Sequence, residues 1–215
     1  MTGIALPFLA IRRFLAVLGA VLALSLAAPA GAAGSGALGF VQKVGDTAIA
    51  DLTAAGISDS TRVKRMRKLL SDTFDAETVA RFVLGPFVHR ASAAELKEFM
   101  RLYEIYVAHN YAGLFKRYSG EKIEMQREQA LANGNFDVFG VIRQPSGPPI
   151  NMEMRVHRVN SNFKAVDLKI EGVSMPLTHR KQFASVITQR GNKVSGLIDA
   201  LQGAVTRFEK ETPSE

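Results

Sequence analysis

The chain of 215 residues contains no cysteine and no tryptophan, and only four histidines. Without cysteine there can be no disulfide, no thiol nucleophile and no thiolate metal site, so the fold must be held by its apolar core. His89, His109, His157 and His179 show no metal-binding spacing such as H-E-x-x-H, and each reads as a surface or capping residue. No G-x-S-x-G elbow and no glycine-rich phosphate loop occurs. The formal charge of +7 is spread thinly, with no dense basic arm. That excludes nucleic acid as the expected partner and leaves at most a weak attraction to anionic membranes or an acidic protein.

Long hydrophobic runs are also scarce. Phe14–Ala28 is the longest, and its 15 residues fall short of the ~20 that a spanning helix needs. Arg12 and Arg13 precede it and Ala28-Pro-Ala30 follows it, the layout of an export signal. Residues 1–32 are therefore expected to be a cleaved signal peptide delivering the protein to the periplasm. Residues 33–211 are expected to form one α+β domain, with 212–215 a frayed tail. An uncleaved inner-membrane anchor is the alternative for the first segment. The "RRFLA" sequence fits twin-arginine export poorly, which favours general secretion. Removing 1–32 lowers the charge to +5, because only the two arginines are lost.

The first half of the mature chain has a helical period. Leu38, Val41, Val44, Ala48, Ile49 and Leu52 share one face before a stop near Gly56, and Val63, Met66, Leu69 and Leu70 share another. Asp75 is placed to cap a short helix ending at Gly85-Pro86. Ser92 and Glu95 have capping-box spacing, and the helix they open carries an aromatic stripe through Phe99, Tyr103, Tyr111, Phe115 and Tyr118.

From residue 121 the period becomes two. Ile123 and Met125, then Phe136, Val138, Gly140 and Ile142, then Ile150, Met152, Met154 and Val156, then Val166, Leu168 and Ile170 alternate with polar residues. Turn chemistry in "LANG" and "QPSGPP" joins them into a four-stranded antiparallel meander with one apolar face. Gly172 and Pro176 then turn the chain off the sheet, Thr178 is a candidate cap, and helix resumes near His179 through Phe183, Ile187, Leu197 and Leu201. Helices covering one face of an antiparallel sheet define an α+β architecture.

The apolar face and the aromatic helix make either an ordinary core or a ligand cavity. Methionines at 152 and 154 suit adaptable apolar surfaces, and Gly140 leaves room on the inward face or bends the sheet. The histidine, arginine and lysine at 179–181 read as a basic rim beside an opening or as a solvated helix start. An enzyme on the same cup would need a polar group inside it. Asp167 is the candidate base, although alternation points it away from the apolar face.

The fragments "VARFVLGPF", "YAGLFKRYSG" and "DLKIEGVSM", in that order and with "GLIDAL" near the end, resemble the MlaC family of lipid-binding proteins. This family includes toluene-tolerance components of ABC transport systems and has hopanoid-associated HpnM relatives. The similarity runs from about Phe40 to Leu201. Phe163 and Val166 stand where many members carry Trp and an aromatic, which touches cargo shape more than fold. The resemblance implies a non-enzymatic, monomeric periplasmic carrier without cofactor. Its cargo is a phospholipid or hopanoid-type lipid, passed between an inner-membrane ABC transporter and an outer-membrane lipoprotein complex. It also implies a lipid pocket that includes Tyr111 and Val173. Strand alternation adds Val138, Ile142, Met152, Met154, Leu168 and Ile170 to that pocket.

Overall fold

A computed structural model describes residues 36–212. The expected export signal and the last residues of the expected tail lie outside them. Six helices and a sheet follow in the order α1 (Ala37–Leu52), α2 (Asp59–Thr73), α3 (Ala76–Leu84), α4 (Ala93–Ala112), β1 (Lys122–Ala130), β2 (Phe136–Arg143), β3 (Ile150–Val159), β4 (Asn162–Ile170), β5 (Val173–Ser174), α5 (Met175–Gln189) and α6 (Val194–Glu211). Short 3-10 turns, Gly85–Arg90 and Gly113–Arg117, flank α4.

Local capping chemistry sets the helix starts. Asp75 accepts the backbone N–H of Thr78, and Ser92 and Glu95 complete a reciprocal capping box. α1 stops at Leu52, ahead of Gly56, where the Thr53 N–H closes on Ile49.

The sheet is a meander of five antiparallel strands rather than four, ordered β1-β2-β3-β4-β5. The extra strand arises because Glu171 and Gly172 both have positive φ (48° and 75°) and bring Val173 opposite Ile170. Two consecutive positive-φ residues make the tight hairpin turn that matches strand twist. The chain therefore folds back on the sheet edge before leaving it. Ser174, not Thr178, caps the next helix by accepting the Leu177 N–H, and α5 starts at Met175 with Pro176 in its first turn.

A bulge in β3–β4 shifts the register between Arg155 and Val156, whose partners are Asp167 and Ala165. Val166 is the unpaired residue there, so the strict alternation expected for β4 breaks. Phe163 and Ala165 join the inner apolar cluster before the bulge and Leu168 and Ile170 join it after, while Val166 does not.

Two packing zones result. α3, α4, α5 and α6 bury Phe99, Leu102, Val83, Ile187 and Leu197 between helices. On the sheet, α1 places Ala37 and Val41 over Val138, Val156, Phe163 and Ala165. Gly45 lets α1 approach β1, since a Cβ there would come within 2.8 Å of Ile123. The aromatic helix α4 thus faces two ways: Phe99 and Leu102 into the helical core, Met100, Val107 and Tyr111 towards the sheet.

Candidate functional site

Between the sheet and helices α1, α2 and α4 lies a cavity of about 590 Å³. The sheet contributes Ile123, Ile142, Ile150, Met152, Met154, Leu168 and Ile170 to its wall. Ala48 and Ile49 of α1, Met66, Leu69 and Leu70 of α2, and Met100, Val107 and Tyr111 of α4 face them. Alternation makes the sheet wall continuous, and the helical period stacks the opposite wall turn over turn.

Charged lining residues are Glu104, Arg117 and Glu121. Glu104 is ion-paired with Arg67 at 2.9 Å. Arg117 and Glu121 belong to the segment after α4 that carries Leu114 (62% exposed) and Tyr118 (38% exposed), two large apolar residues in the same wall. This segment is the mouth, where apolar wall meets solvent.

One polar cluster lies inside. The Tyr103 hydroxyl is 2.7 Å from His179 Nδ1, and the Tyr111 hydroxyl is 3.3 Å from His179 Nε2. Tyr111 also donates to Met175 Sδ at 3.2 Å. Burial lowers the pKa of His179 and raises those of both tyrosines, with neighbouring phenols adding to the rise at Tyr103. At neutral pH the cluster is polar but uncharged. His179 is therefore buried (7% exposed) and belongs to the wall, not to a basic rim or a surface cap. Its signal was the four-residue spacing Met175, His179, Phe183, Ile187 along α5, which places it on the inward stripe.

Six of the eight expected pocket residues line the cavity: Tyr111, Ile142, Met152, Met154, Leu168 and Ile170. Val138 and Val173 do not. Val138 is wholly buried under α1, on the inner face but beyond the cavity. Val173 is 54% exposed at the edge strand, two residues before the lining Met175. Gly140 opens no space in the cavity either: a Cβ there would strike the Glu124 carbonyl and the Met125 side chain, at 2.9 Å from its sulfur. Its missing side chain admits the bulged strand β1, whose register shifts between Met125 and Arg127.

Asp167 is outside the cavity wall. It stands opposite Arg155 and accepts a hydrogen bond from Ser174 Oγ. The remaining histidines are placed structurally. His109 stacks on Phe208 with ring centroids 4.8 Å apart, His157 Nε2 lies 3.0 Å from an Asp75 oxygen, and His89 is exposed. Among the described residues no His, Asp or Glu cluster could hold a metal ion, and no helix is long and apolar enough to cross a membrane.

Comparison with known proteins agrees with this architecture. A phospholipid-binding protein from Ralstonia solanacearum, solved in complex with a phospholipid, superposes with a TM-score of 0.69 at 21% identity, covering 80% of this chain and 98% of that one. The intermembrane phospholipid transport system binding protein MlaC of Haemophilus influenzae is 26% identical over 129 residues, 58% of this chain and 59% of the relative. The chain thus spans about three-fifths of the length of that curated relative. The family model described as MlaC protein matches residues 42–203, from the first turns of α1 into α6, so the cavity and all the elements that build it fall within a chain that belongs to the MlaC family.

Proposed function

We propose that this protein is a non-enzymatic lipid carrier that holds the acyl chains of a phospholipid in the cavity and leaves the headgroup at the mouth. The observation that carries this reading is the wall itself: a deep space bounded by Ile, Leu, Met and Val from two layers, with charged residues at its edge. Each methylene moved from water into such a space gains about 0.8 kcal/mol. Two chains are then held tightly with little demand on headgroup chemistry. The transport name of the Haemophilus relative and the phospholipid bound to the Ralstonia protein support the same reading.

In this proposal the lining set is Tyr111, Ile142, Met152, Met154, Leu168 and Ile170, and Val173 meets cargo only where it emerges at the sheet edge. Residues 1–32 direct the protein's export to the periplasm and are cleaved on translocation. There it moves lipid between an inner-membrane ABC transporter and an outer-membrane lipoprotein complex, and release requires a partner or membrane that favours an open cavity. The enzymatic alternative needed Asp167 in the cup, and Asp167 instead serves the start of α5.

Lipid extraction and mass spectrometry on protein purified from its native compartment test the proposal. Stoichiometric phospholipid supports it, a hopanoid-type lipid redirects the cargo, and protein free of lipid refutes it. The mature N-terminus, read on the same sample, separates a cleaved carrier from a tethered one.

A further inference from the structure

The cavity wall is mostly apolar. Besides Ser71, Thr73, Tyr118 and the charged Glu104, Arg117 and Glu121, its polar side chains are Tyr103, Tyr111 and His179, which meet in one cluster. The directions of the hydrogen bonds within that cluster can be worked out. Tyr111 has one proton, which it gives to Met175 Sδ. Its oxygen must then accept from His179 Nε2–H. A neutral imidazole carries one N–H, so Nδ1 is the acceptor, and Tyr103 Oη–H donates to it at 2.7 Å. The opposite tautomer would leave the buried Tyr103 proton with no acceptor among the described residues. The chain therefore runs one way, Tyr103 to His179 to Tyr111, and ends on a thioether.

A thioether is a weak acceptor. Two phenols and an imidazole are thus arranged to aim one good O–H donor at a poor partner, on a wall whose neighbouring sheet and helix residues are mostly apolar. Tyr111 is half-buried and sits one helical turn before the exposed Leu114, so it marks the level between apolar interior and mouth. In a lipid whose chains are inside and whose headgroup is outside, that level is occupied by the linkage.

Resting on the carrier reading, we propose that Tyr111 Oη is the cavity's hydrogen-bond donor to the cargo, taking the carbonyl oxygen of an ester-linked acyl chain in place of Met175 Sδ. His179 is the positioning residue that keeps the phenol proton directed at the ligand. The cluster itself is uncharged, and the lining cation Arg117 belongs to the mouth segment rather than to the cluster, so at the level of Tyr111 a neutral ester fits better than an ionised carboxylate. The cavity accordingly distinguishes lipids by linkage as well as by hydrocarbon.

The experiment compares binding of dipalmitoyl (ester-linked) and dihexadecyl (ether-linked) phosphatidylcholine to the delipidated protein, together with the infrared carbonyl stretch of the bound, ¹³C-carbonyl-labelled ester. The expected result is tighter binding of the ester by roughly threefold to tenfold, the worth of one hydrogen bond. The bound carbonyl band should lie at lower frequency than in the Tyr111→Phe variant, which should bind both lipids alike. Equal affinity of the unsubstituted protein for both lipids, with an unshifted carbonyl, overturns the inference and leaves the carrier reading intact. Binding of neither lipid overturns both. Should Tyr111→Phe fold poorly, the ester–ether ratio and the band position of the unsubstituted protein still decide.

Discussion

Ser174 Oγ donates a hydrogen bond to the Asp167 carboxylate at 2.8 Å while accepting the backbone N–H of Leu177 at 3.2 Å. One hydroxyl therefore fastens the last full strand to the first turn of α5, the helix that delivers Met175 and His179 to the cavity. Replacing Ser174 with Ala removes the cap and leaves Asp167 without this donor. The expected cost is about 1–2 kcal/mol, seen as a lower urea midpoint with unchanged slope. Asp167→Asn, which can still accept, should cost less.

That relationship also shows where the sequence could be read and where it could not. Capping by Asp75 and by the Ser92–Glu95 pair is local, and both were legible from spacing alone. So was the inward face of β3, whose Met152 and Met154 line the cavity. The fifth strand was hidden because it depends on Glu171 adopting positive φ, a conformation unusual for that residue type. Val166 was misplaced because a bulge is a matter of pairing between strands, invisible in either strand alone. Val138 shows a further limit: alternation gives the face of the sheet, but α1, about a hundred residues earlier, decides which part of that face is closed. His179 is legible in the sequence as one member of the α5 stripe, in which Met175, His179, Phe183 and Ile187 recur every fourth residue.

Gly140 should not tolerate a side chain. An added Cβ meets the backbone of β1 at Glu124, which cannot move without disturbing the bulge, as well as the flexible Met125. Gly140→Ala is expected to cost about 1–3 kcal/mol in chemical denaturation. A neutral result would mean that β1 can shift, and hydrogen exchange along Lys122–Ala130 would show it.

Stability should fall on mild acidification, before the carboxylates titrate. Burial depresses the pKa of His179 and of His109 below the ordinary value near 6.5. Below that value the unfolded chain binds protons that the folded chain does not, so their contribution is complete above pH 6.5 and is lost as the pH falls through it. The groups facing His179 are Tyr103, Tyr106, Tyr111 and Phe183, none of them an anion, so no carboxylate among them offsets the burial of its imidazolium. Urea midpoints measured at several pH values should fall between about pH 7 and 5.5, and fall less in His179→Phe. The lowered carboxylates, such as Glu95 in its capping box, act in a separate window below about pH 4.5.

Met154 offers the most direct test that the cavity is where cargo sits. It is 3% exposed, stands opposite Leu168, and lines the wall between sheet and helices. A glutamate there would be an unpaired carboxylate in an apolar space, costing several kcal/mol unless it takes up a proton or draws in water. Either outcome spoils the wall for acyl chains. Met154→Glu should therefore lose co-purifying lipid, while Met154→Leu, close in volume, should keep it at a stability cost below about 1.5 kcal/mol. Mass spectrometry of extracted lipid gives the readout, and a cooperative melting transition in the glutamate variant separates loss of cargo from loss of fold. Retention of the same lipid by a folded Met154→Glu protein would place the cargo elsewhere, because a two-chain lipid filling this cavity could not avoid the substituted wall.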